Sequence, residues 1–66
     1  MKPSIGRIVH YCDMEGKILA GVVVAVMDEE NAIVNLAVWS EFGKQCNALN
    51  VRQGHGCEQW NWPARG

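Results

Sequence analysis

No stretch of this sequence is apolar for long enough to cross a membrane. Its longest apolar runs, residues 18–27 and 32–39, reach about half of the ~20 residues a spanning helix needs. The start carries no signal-peptide pattern, which points to the cytosol. Charge of one sign is missing too: six Lys and Arg stand against seven Asp and Glu, a net charge of −1. That balance argues against broad binding to a nucleic-acid backbone, which needs a basic stripe, but leaves room for a small anion held by one or two arginines. Cysteine is sparse and odd in number at three, which fits free thiols in a reducing compartment better than a disulfide framework. There is one Phe and one Tyr. There is no internal repeat, low-complexity segment or linker.

What the sequence does have is length for one domain, residues 1–66, and two apolar runs joined by Asp28-Glu29-Glu30-Asn31. The first run is rich in Val and Ile, which suit a pleated sheet. In the second, Ala32, Val34, Leu36 and Val38 fall on one face, and Ile33, Asn35, Ala37 and Trp39 on the other. A four-residue polar connection between such runs predicts a β-hairpin built around a type I turn.

Around that hairpin the chain reads as short strands. Pro3 suits a place just before an edge strand, and residues 5–12 form the first strand, with a bulge or close backbone approach at Gly6. Asp13-Met14-Glu15-Gly16-Lys17 is a turn in which Gly16 supplies positive φ. In the second strand, Ile18, Ala20, Val22, Val24 and Val26 share one face, and Leu19, Gly21, Val23, Ala25 and Met27 the other. Both faces are apolar, so the strand is expected to be covered twice, by the core and by a partner subunit, with a bend at Gly21. Ser40-Glu41-Phe42-Gly43-Lys44 turns into a strand over 45–53, with Cys46, Ala48, Asn50 and Arg52 facing opposite Asn47, Leu49, Val51 and Gln53. Gly54-His55-Gly56 is a loop, 57–62 the last strand, and Ala64-Arg65-Gly66 a loose tail. Five short strands and no helix predict an all-β, five-stranded SH3-like barrel; an OB barrel normally needs a longer chain and a helix. A chain this short buries only ~60 % of its unfolded surface, and one such core rarely supplies more than about 3–5 kcal/mol, so self-association is expected.

Three blocks carry a resemblance: Pro3-Ser4-Ile5-Gly6-Arg7-Ile8-Val9-His10-Tyr11, Val34-Asn35-Leu36-Ala37-Val38-Trp39, and Trp60-Asn61-Trp62-Pro63. Their order and spacing resemble a family of small uncharacterised proteins encoded by tailed bacteriophages. That family opens on P-S-x-G-R-x-V-H-Y, continues through V-N-L-x-V-[FW] and closes on W-x-W-P or H-W-P. Asn61 departs from relatives that have a charged residue or His there. The resemblance implies a phage accessory product acting in the host bacterial cytoplasm.

The residues that could recognise a ligand are Arg7, His10, Tyr11, Trp39, Arg52, Trp60 and Trp62, together with Asn35. Trp and Tyr stack on planar bases or pack peptides, and Arg clamps phosphate bidentately. Pairing of the terminal strands would bring His10 and Tyr11 to Trp60 and Trp62. The competing reading makes Trp39 and one C-terminal Trp core or interface residues, and Arg7 a solvated charge. His10-Tyr11-Cys12 and His55-Gly56-Cys57 give two H-x-C pairs, with Cys46 a fifth potential ligand, but the spacing is not that of a zinc ribbon or finger. No nucleophile elbow, phosphate loop or paired-acid site is present, so the chain reads as no enzyme, with no cofactor and no metal. The function expected is a homo-oligomeric binding protein that sequesters a small nucleotide-like ligand, such as a signal of host immunity, or blocks a host defence protein. The alternative is an interaction module: a virion decoration subunit or a peptide-binding adaptor. Single-stranded nucleic acid stacked on Trp is a third reading, disfavoured by the charge.

Overall fold

The computed structural model describes residues 2–63, so the tail read as loose, Ala64-Arg65-Gly66, lies outside the described residues. Five strands, β1 (Ile8–Cys12), β2 (Ile18–Asp28), β3 (Ile33–Trp39), β4 (Gln45–Gln53) and β5 (Gln59–Asn61), close into one barrel in sequence order. Neighbours are antiparallel except β4 and β5, which run parallel through Arg52↔Gln59 and Gln53↔Trp60. The all-β SH3-like barrel expected from the strand pattern is the observed architecture.

Side chains alternate across the wall, and the inward set makes the core. Val9, Val23, Val34, Leu36, Val38, Val51 and Trp60 are buried. Trp60 is the largest of them, and its indole N–H donates to the Ala32 carbonyl at 2.9 Å, so its one polar atom is satisfied inside. Tyr11 pairs with Trp60, and Leu19 with Tyr11, on the same inner face.

Several boundaries differ from the sequence reading, each for a local reason. β1 begins at Ile8 rather than residue 5 because Gly6, at φ +91, makes a bulge: Gly6 N–H donates to Val23 O at 2.8 Å and Val23 N–H to Arg7 O at 2.9 Å. Pro3 is buried. β5 is shorter than 57–62 because Glu58, at φ +58, leaves the extended path. β2 carries a register shift between Val23 and Ala25. Val26 therefore turns inward, to pair with Val34, instead of sharing a face with Ile18 and Val22. In β4 a shift between the partners of Val34 and Leu36 puts Ala48 and Val51 on the same inner side, and Asn50 takes up the extra residue at φ +52. At Gly21 there is no bend of the left-handed kind. A Cβ there would meet Ala37 O and the Leu36 and Val38 side chains at 3.5–3.7 Å, ordinary contact distances.

Candidate binding site

The outer wall is where the chemistry lies. Strand register lines up three rows across it: Asn61–His10–Ala20–Trp39–Gln45, Arg52–Gln59–Cys12–Ile18, and Ile8–Val22–Ala37–Asn47. Residues in one row stand side by side, about 4.8 Å per strand. The part contributed by β1 and β2 is uncovered and aliphatic: Ile8 is 64 %, Ile18 59 % and Val24 50 % exposed. The expected second apolar face of β2 is thus present, and it faces outward.

Beside this face, over β5 and β1, lies a cleft of about 220 Å³ lined by His10, Cys12, Ile18, Gly54, His55, Gln59, Asn61 and Trp62. Its polar wall is held in place by its own hydrogen bonds. The Asn61 side-chain carbonyl accepts from Trp62 N–H at 2.9 Å and from the Gln53 amide at 3.2 Å, while its Nδ2 lies 3.1 Å from the His55 ring nitrogens. Gln59 Oε1 accepts from Gly56 N–H at 2.7 Å. A Cβ at Gly54 would run into that same oxygen, so a side chain there would displace the Gln59 carboxamide from the Gly56 N–H. Trp62 makes an edge-to-face contact with Trp60, ring centroids 5.3 Å apart.

The structure divides the residues named from sequence. His10 and Trp62 line the cleft, and Trp39 stands one Ala beyond His10 in the same row, 38 % exposed. Trp60 is a core residue and is out of reach of a ligand. Tyr11 faces inward beside it, and its hydroxyl is held above the usual phenol range by burial and by the Glu58 and Asp13 carboxylates. Asn35 works locally: its side-chain carbonyl accepts from Asn50 N–H at 2.8 Å and pins the β4 bulge. Arg7 lies at the Gly6 bulge and Arg52 on the far side of β5, so the two do not converge within one chain. Neither makes an ion pair among the described residues. Sequence reasoning missed Gln53 and Gln59 and did not read Asn61 as a site residue; the signal for Gln59 was a glycine pair three and five residues before it.

The H-x-C pairs do not assemble into a metal site: among the described residues no three His, Cys, Asp or Glu are grouped to hold an ion. Cys12 and Cys57 do meet. Burial and the neighbouring Cys57 thiol push the Cys12 thiol above its ordinary range, which leaves it protonated and a poor nucleophile at neutral pH. Comparison with family models, with curated proteins and with solved structures gives no match to this chain.

Proposed function

We propose that this is a non-enzymatic phage accessory binding protein, acting in the host bacterial cytoplasm, that pairs with copies of itself and sequesters a small nucleotide-like ligand. One observation carries the reading: a half-built cleft opens beside an uncovered aliphatic face. At about 220 Å³ the cleft lies below the ~300–1,000 Å³ of ordinary small-molecule sites. It has room for a ring or an anionic group, and a second subunit laid against Ile8, Ile18 and Val24 would supply a further wall. The Asn61 oxygen is taken within the chain, which leaves the Gln59 Nε2 and one Nδ2 hydrogen of Asn61 as donors to an acceptor on a base, and Trp62, His10 and Trp39 offer rings to stack on. Arginines too far apart to converge within one chain can converge when two chains contribute one each.

Titration with linear and cyclic mono- and dinucleotides, followed by calorimetry and Trp fluorescence, tests this. Binding of one nucleotide class is expected, with fewer ligands than chains. Asn61→Ala should weaken it at least about tenfold, because it removes an amide donor and releases the Gln53 and His55 side chains that Asn61 holds. Indifference to every nucleotide, at concentrations where the protein is assembled, would overturn sequestration.

A further inference from the structure

The barrel is closed by very little along one seam. β5 meets β4 only at Arg52 and Gln53, so residues 45–50 of β4 have a strand neighbour on the β3 side alone. Which backbone groups this leaves free follows from the alternation of an antiparallel ladder. Val23 donates to Arg7 O, so Leu19, Gly21 and Val23 turn their polar groups toward β1, and Ala20 and Val22 turn theirs toward β3. Ala37 and Trp39 then bond to β2, and Leu36 and Val38 to β4. Within β4, Cys46 and Ala48 bond back to β3. The N–H and C=O of Gln45 and Asn47 point out of the sheet, into the open seam.

Two hollows of about 370 and 360 Å³ run along that seam and share Tyr11, Asn47, Ala48 and Glu58. The first is lined mainly by polar groups, Asn47, Asn50 and Glu58 among them; the second is apolar and acidic. Leu19 and Ala48 are half-buried against the core, Met14 and Leu49 stand largely exposed at the rims, and Asp13, Glu15 and Glu58 contribute carboxylates. No Lys or Arg lines either hollow among the described residues; Lys17, beside Glu15 at 4.0 Å, is turned to Glu41 at 3.1 Å.

We propose that this seam is a docking site for an extended polypeptide segment of another protein, added alongside β4 and bearing a lysine or arginine on the face turned to the groove. The free backbone row selects a strand, because only an extended chain offers donors and acceptors at matching intervals. The carboxylates select the basic side chain, and Leu19 and Ala48 the aliphatic residues beside it. A second copy pairing through its own β4 does not answer the charge: Gln45-Cys46-Asn47-Ala48-Leu49-Asn50 contains no basic residue. The inference uses residues outside the Asn61 cleft and stands or falls separately from it.

Amide hydrogen exchange of the isotopically labelled protein tests it, with two short synthetic peptides as probes. One alternates valine with lysine, the other valine with glutamate. The lysine peptide should slow exchange at Asn47 at least about tenfold, and the glutamate peptide should leave it unchanged. Glu58→Lys should weaken the lysine peptide about tenfold, whereas Glu30→Gln, on the β2–β3 turn, should not. Unaltered exchange at Asn47 with the lysine peptide, or equal effects of both peptides, would overturn the proposal. So would protection at Asn47 that grows with protein concentration without peptide, since the occupant would then be a second copy.

Discussion

At the scale of single residues, the three tryptophans have three different jobs. Trp60 fills the barrel and closes its hydrogen bond on Ala32 O; Trp62 leans edge-on against it at the lip of the cleft; Trp39 stands on the outer wall. Removing a buried Trp costs about 3–5 kcal/mol. That equals the whole stability expected of a core this small, about 3–5 kcal/mol. Trp60→Ala is therefore expected to be unfolded by far-UV circular dichroism at room temperature. Trp62→Ala should remain folded, losing about 0.5–1.5 kcal/mol of ring contact together with the area it covers. A folded Trp60→Ala protein would mean that the core does not depend on that ring. The sequence shows that three indoles are too many for one small interior. It does not show which is inside, because Trp60 and Trp62 have the same parity and only the end of β5 at Asn61 separates them.

At the scale of elements, the strands and the Gly6 bulge were legible, and the register shifts within β2 and β4 were not. A β2 reading of unbroken alternation puts Val26 on the outside, but the shift after Val23 turns it in. Nothing in Val22-Val23-Val24-Ala25-Val26 marks the slip, since every residue there is apolar. Closing so few strands forces long ones to bend, and bulges provide the bend. The β2–β3 turn was legible, and it carries a pH dependence. The Asn31 side-chain amide holds the Asp28 carboxyl below the usual carboxylate range, followed by the backbone N–H groups of Asn31 and Glu30 and the charge of Arg52. A carboxyl whose folded pKa is depressed contributes stability above its unfolded pKa and loses it as pH falls through the folded one. Asn31→Ala is therefore expected to lower the urea midpoint at neutral pH. The difference from the native protein should shrink as the pH falls below the carboxylate range. A difference independent of pH would assign the loss to turn geometry instead.

At the scale of the whole molecule, the all-β five-stranded barrel could be read from the chain, and the parallel β4–β5 pairing that closes it could not. The candidate site was legible only in part: His10, Trp39 and Trp62 lie on or beside the cleft, but its fixed edge is made by Asn61 and Gln59. Those carboxamides matter because of how a glycine loop and a neighbouring glutamine orient them, which composition does not reveal. A filled interior leaves any binding to the outside. There the chain exposes isoleucines and valine over β1 and β2, next to a cleft too small to enclose a ligand unaided. Cover for that face by a second copy is the central claim. Sedimentation equilibrium over micromolar concentrations tests it most directly, on the native chain and on Ile18→Glu. The native protein is expected to sediment as a dimer or larger assembly, and Ile18→Glu as a folded monomer; a native protein that stays monomeric throughout would contradict the account.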